Sequence, residues 1–81
     1  MERPTMMWLS FYNPETKTHL GTCVVHAANV EQGLARAAEL GIRPEGDCLS
    51  QGLSADAAGY YAAHMDVLMD DAELARRFGD R

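Results

Sequence analysis

Apolar and polar positions alternate from Met6 to Tyr12. Met7, Leu9 and Phe11 fall on one face of an extended chain, and Trp8, Ser10 and Tyr12 on the other. The same period returns in a second strand. Gly21, Cys23, Val25 and Ala27 share one face there, and Leu20, Thr22, Val24 and His26 share the opposite one. Between the two runs lies Asn13-Pro14-Glu15-Thr16-Lys17, whose Asn and Pro favour a bend, so a hairpin with a long loop is predicted. The period then changes to that of a helix. Asn29 stands three residues before Gln32, a capping-box-like pair. Val30, Leu34, Ala37 and Ala38 recur at helical spacing as the buried stripe, with Glu31, Arg36 and Glu39 on the wet side. Gly33 weakens this helix, which points to a close approach between helix and sheet. Gly41 is placed to end the helix in the left-handed conformation, Ile42 to fold back onto its last turn, and Pro44 to prevent continuation.

Glu45-Gly46-Asp47 reads as a turn and Cys48–Leu53 as a third, shorter strand. A right-handed crossover makes this strand parallel to the second and antiparallel to the first, giving the order 2-1-3. Ser54 caps a following helix, with Ala57, Tyr61, His64, Met65 and Leu68 along one side. Asp70 with Glu73 repeats the capping pattern, so Asp70–Phe78 is predicted to be a separate short helix. Leu74 and Phe78 turn inward, Arg76 and Arg77 lie near its end, and Gly79 stops it. The expected fold is α+β: a β-β-α-β three-stranded sheet, one helix packed on it and a helical C-terminal tail. One domain is expected over residues 1–81, with its core at 6–53 and its tail at 54–79.

Size and composition add bounds. A chain of 81 residues buries a modest share of its surface, and a partner or a homodimer would add to it. Apolar content of 47% is that of a globular protein. No apolar run approaches the ~20 residues that span a bilayer, so no membrane is expected. Met1–Met7 lacks the apolar region of a secretion signal, and the expected location is cytoplasmic. There, Cys23 and Cys48 are expected to be reduced, buried and inert. A disulfide between them requires their strands to be adjacent.

Net charge is −5, and its distribution matters more than its size. From Pro44 to Ala75 there is no Lys or Arg, while Glu45, Asp47, Asp56, Asp66, Asp70, Asp71 and Glu73 all fall in that stretch. Phosphates would be repelled by such a surface, so no direct nucleic-acid partner is expected. A protein with a basic surface would be attracted. The bland account is a solvated face that keeps the protein soluble.

Catalytic and cofactor motifs are weak. Cys23 and His26, three apart on a strand, point to opposite faces, and no Cys-x-x-Cys or His-x-x-x-His spacing exists, so no metal site is expected. His19 reads as a loop residue, His26 as an open-face strand residue and His64 as a helix residue. Gly41–Gly46 lacks the Lys-Ser/Thr ending of a phosphate loop, and no cofactor is expected. Trp8, Tyr12, Tyr60 and Tyr61 would suit a protein interface better than a base-stacking platform, given their acidic surroundings. The alternative for Trp8 is cover by the C-terminal helices.

Trp-Leu-Ser-Phe at 8–11, Leu-Gly-Thr-Cys-Val-Val at 20–25 and Ala-x-x-Leu-Gly-Ile-x-Pro-x-Gly at 37–46 resemble a group of small bacterial and phage proteins. These share a hairpin and a helix ending in Leu-Gly-Ile-x-Pro-Gly-Gly, and they carry no agreed activity. The resemblance covers residues 8–52. Glu45 replaces the first Gly of the turn, and the acidic tail after Ser54 lies outside the shared pattern. The chain is also distantly similar to HicB-type antitoxin domains, which place a helix after a hairpin with more strand before it.

The function expected is non-enzymatic binding to another protein. The acidic tail, the short chain and the phage-like resemblance together imply an anti-defence inhibitor of the anti-CRISPR type. Its carboxylates would occupy a basic nucleic-acid channel where phosphates would lie. The residues expected to bind the partner are Asp66, Asp70, Asp71 and Glu73, with Trp8 and Tyr12. Asp66, Asp70 and Glu73 form one stripe on a continuous helix, which a cap at Asp70 would bend. Two alternatives stand beside it: an antitoxin-like regulatory module, and a small enzyme or ligand binder using the cysteines and histidines.

Overall fold

β1 (Met6–Tyr12) is the middle strand of a three-stranded sheet, flanked by β2 (His19–His26) and β3 (Asp47–Leu53). Both neighbours run antiparallel to it, so the order is 2-1-3 and the fold is α+β. This computed structural model describes residues 5–79, without the side chain of Ala58. Positions 1–4 and 80–81 of the expected domain lie outside the described residues. The hairpin loop is held by Asn13, whose Oδ1 accepts from the backbone N–H of Glu15 and Thr16 at 2.8 and 3.2 Å.

α1 (Val30–Glu39) packs on one face of the sheet. Asn29 caps it, accepting from the Gln32 N–H at 2.8 Å, and the Gln32 side chain accepts from the Ala28 N–H. The helix ends through Gly41 at φ +73°. Gly41 N–H bonds to Ala38 C=O at 3.1 Å and Ile42 N–H to Ala37 C=O at 2.9 Å, satisfying two end carbonyls. The buried line of α1 runs through Gly33 and Ala37, with Leu34 partly buried against the core. This corrects the expected stripe, since Ala38 is exposed and Val30 is 36% exposed. Gly33 explains the rotation. A Cβ there would stand 3.3 Å from Leu9 Cδ1 and 3.6 Å from Met7 Cβ, so the helix rests on the sheet along its thinnest line. The core beneath consists of Met7, Leu9, Phe11, Cys23, Val25, Ala27 and Ala37. Burying Leu9 or Phe11 fully stabilises the fold by about 1.5–3 kcal/mol each.

The tail covers the other face. α2 (Ala55–Tyr61) is capped by Ser54, runs into a short 3-10 turn at Ala62–His64, and stops. The expected longer helix carrying Met65 and Leu68 is therefore corrected. Met65 is extended and Asp66 takes φ +63°, which turns the chain along the outer edge of β2. There Asp66 N–H bonds to Val24 C=O at 2.9 Å, while Thr22 and Met69 exchange both backbone bonds at 2.8 and 2.7 Å. Pairing with the strand edge and burial of Met69 outweigh continued helix. α3 (Asp71–Phe78) follows, capped by Asp70 through the Glu73 N–H at 2.9 Å.

β2 contains a bulge. Phe11 pairs with Gly21 but Tyr12 pairs with His19, leaving Leu20 as the extra residue. Leu20 consequently packs against the α1 face, not the Thr22 face where strict alternation places it. Gly21, at φ +154°, takes the conformation the bulge requires. Leu68 fills the space beside it, with Cδ1 2.7 Å from where a Cβ would sit.

Candidate functional site

The bulge brings together a line of polar side chains that alternation alone would separate. Trp8 Nε1 donates to Ser10 Oγ at 3.0 Å, and Ser10 Oγ meets Thr22 Oγ1 at 2.9 Å. Thr22 Oγ1 meets His19 Nε2 at 2.7 Å, and His19 Nδ1 meets Asp71 Oδ1 at 2.5 Å. β1 supplies Trp8 and Ser10, β2 supplies Thr22 and His19, and the first residue of α3 supplies Asp71. A carboxylate only accepts, so Nδ1 carries a proton toward Asp71. With a neutral imidazole, Nε2 then accepts from Thr22, Thr22 accepts from Ser10, and Ser10 accepts from Trp8. Every hydrogen bond from Trp8 to His19 is thereby satisfied in one direction.

Hydroxyl, imidazole and carboxylate in this order are the parts that activate a nucleophile. Here the hydroxyl is enclosed. Thr22 is fully buried and Ser10 is 7% exposed, and both backbone groups of Thr22 are bonded to Met69. The line straps α3 and the edge segment to the sheet. Sequence reading places His19 in the loop and misses this cluster. The only signal is the Gly21 that marks a bulge inside an otherwise alternating strand.

Aromatic rings close the same face. Trp8 is half-buried under the tail, with ring centroids 5.4 Å from Tyr61 and 6.1 Å from Phe78. Phe78 also packs edge-on against His64 at 4.7 Å. The alternative account of Trp8, cover by the C-terminal helices, describes its position. Tyr12 sits at the rim, its ring centroid 5.4 Å from His19.

Asp66, Asp70 and Glu73 do not form the expected stripe, because Asp66 lies at the left-handed turn after the 3-10 segment and Asp70 at the cap of α3. Asp66 Oδ1 is buried and accepts no hydrogen bond among the described residues. Asp70 accepts from Glu73 N–H, while Asp71, with a side chain 83% exposed, bonds to His19. Glu73 pairs with Arg77 at 2.8 Å and with Arg76. The Arg77 hydrogen bond, aided by Arg76, holds the Glu73 carboxyl below its usual range.

Cys23 and Cys48 flank β1, opposite Leu9 and Phe11 respectively. Two strand spacings of about 4.8 Å separate them, beyond the ~7 Å that a disulfide bridges, and both thiols are free. Burial, with smaller contributions from Cys48 and Asp66, pushes the Cys23 thiol up to about 12. Burial raises Cys48 too, against a lowering by Arg43. Such thiols are poor nucleophiles at neutral pH. Among the described residues no three His, Cys, Asp or Glu side chains gather to hold a metal ion. A shallow groove lined by Ala38, Gly41, Arg43, Pro44, Glu45 and Gly46 holds neither His nor Cys. No helix among the described residues is long and apolar enough to cross a membrane. No protein-family model, curated protein or solved structure matches this chain.

Proposed function

We propose that this chain is a non-enzymatic binding module whose partner is a protein with a basic surface. The observation that carries the reading is the run from Pro44 to Ala75, seven acidic residues without a Lys or Arg. Asp70 and Asp71 are the contacts we favour. Both are exposed at the start of α3, and Asp71 retains a largely exposed carboxylate while bonded to His19. Asp66 adds negative potential nearby, whereas Glu73 is largely offset by its two arginines. Tyr12 borders this region through His19, and Trp8 supports it from beneath. In its specific form the module is an anti-defence, anti-CRISPR-type inhibitor that fills a basic nucleic-acid channel with carboxylates. The hairpin-then-helix order favours a second reading, a HicB-like regulatory module.

Affinity capture from a host lysate, with mass spectrometry, identifies the partner. The parent and a combined Asp66→Asn, Asp70→Asn, Asp71→Asn variant are then titrated against it at low and high salt. Asn still caps α3 at position 70, which isolates the charge effect. The variant should bind more weakly, with flatter salt dependence. Equal affinity at both salts would overturn the acidic interface.

A further inference from the structure

The outer edge of β3 is open. Segment Asp66–Met69 bonds along the outer edge of β2, but among the described residues no backbone bond reaches the outer side of β3. Its inner side pairs with β1 in unbroken register from Asp47↔Tyr12 to Leu53↔Met6. Edge strands are normally blunted by Lys, Pro, bulges or inward-pointing charges. β3, Asp-Cys-Leu-Ser-Gln-Gly-Leu, has none of them. From Asp47 to Gly52 every residue except the half-buried Cys48 is exposed, and Leu49 is 65% exposed. The charge around this edge has one sign. Glu45 and Asp47 are exposed at one end of β3, and Asp56 is exposed in the first turn of α2, which follows the other end. Arg43 stands just outside the acidic run, close enough to lower the Cys48 thiol, and these carboxylates outnumber it.

We infer that β3 is a docking edge for an extended basic segment of a partner protein, which adds antiparallel as a fourth strand with Lys or Arg near both of its ends. The inference rests on the basic partner of the proposed function and gives it a second surface, because α3 packs at the β2 side of the sheet. Backbone bonds to the open edge supply affinity, and alternate side chains supply specificity. Charge selects the occupant. A second copy, of net charge −5, would bring Glu45, Asp47 and Asp56 against their own kind, and an acidic strand would be repelled in the same way. Cations on the incoming strand instead meet carboxylates at both ends of an edge about 20 Å long. Leu49 and Gln51 share the face of Ser10 and Trp8, so the incoming strand places an apolar side chain beside Leu49 there. Ser50 and Gly52 lie on the other face and leave room for branched residues.

The test is a titration of the isotope-labelled full chain with the capped peptide Lys-Thr-Val-Thr-Val-Thr-Lys, read by backbone amide NMR shifts. Shifts should centre on β3 and fade with added salt. The same peptide with Glu in place of both Lys should bind about tenfold more weakly. A version N-methylated at its central residues keeps the charge but cannot pair, and should bind weakly to the same degree. Leu49→Lys in the chain should also weaken the basic peptide, with unchanged circular dichroism. The Asp66→Asn, Asp70→Asn, Asp71→Asn variant should keep the β3 shifts, so this edge and the acidic surface of α3 are read separately. No β3 shift at millimolar peptide, shifts centred on α3, or equal binding of the acidic or methylated peptide would overturn the inference while leaving the α3 surface standing. A chain that doubles in mass with concentration, and stays single as Leu49→Lys, would assign the edge to a second copy and would equally overturn it.

Discussion

His19 and Thr22 lie three residues apart on one strand, and their side chains meet at 2.7 Å. Residues three apart on a regular strand face opposite sides. The extra residue, Leu20, is what puts them on the same one, and so connects a buried hydroxyl to a carboxylate on the surface of α3.

Thr22→Val keeps the shape of the side chain and removes the central hydroxyl of that line. Ser10 and His19 Nε2 lose a partner in a buried setting, so the variant should lose about 1–3 kcal/mol. Urea denaturation measures this. Asp71→Ala should cost less, within about 1 kcal/mol and declining with salt, because its carboxylate is mostly exposed. A Thr22→Val protein as stable as the parent would show that the line contributes nothing to docking of the tail.

The two glycines of the α1 region should respond to substitution for different reasons. A Cβ at Gly41 would meet nothing within 4 Å, so Gly41→Val acts through its positive φ alone and should cost at least ~1 kcal/mol, with Gly41→Asn milder. Gly33 has an ordinary helical conformation but little room. Gly33→Val should cost about 1–3 kcal/mol by pushing α1 off Leu9, whereas Gly33→Ala should be nearly neutral because improved helix propensity offsets the tight contact. Denaturation midpoints of the four variants should follow that pattern.

Alkaline pH should weaken the fold through Cys23. Its folded pKa, about 12, lies above the value near 9 of an unperturbed thiol. The unfolded chain releases this proton first, so the unfolded state binds fewer protons between those values and stability falls as pH rises through them. Well below pH 9 the thiol is protonated in both states and contributes no slope. Denaturant unfolding at pH 8, 9 and 10 should show the decline, and Cys23→Val should reduce its steepness. The native thiol should also resist alkylation at pH 8. Rapid modification of Cys23 without unfolding would contradict its burial.

Where local chemistry alone decides, the sequence is legible. Asn29, Gly41, Ser54 and Asp70 mark helix ends by side-chain or backbone preference, and each stands at the end it predicts. The central place of β1 follows from its apolar content, and the crossover through α1 sets β3 parallel to β2. The bulge at Leu20 is hidden because its neighbours continue to alternate. The early stop of α2 is hidden because Tyr61, His64, Met65 and Leu68 keep helical spacing, and only the bonding edge of β2 ends the helix. The site suffers most from this, since the expected acidic stripe needs that helix and the His19 cluster needs the bulge.

Within the sheet, the strand that comes first in chain order is the one to which both others pair. While the chain emerges from a ribosome, β1 and β2 can close as a hairpin, but one side of β1 stays bare until Leu53 has appeared, roughly forty residues after β1 itself ends. During that interval Met7, Leu9 and Phe11 have only β2 and α1 to shelter them, and the bare side of β1 is open to any passing strand. Productive folding of this protein therefore waits on its third strand, and its vulnerability to aggregation during synthesis is set by how quickly residues 27–53 are delivered.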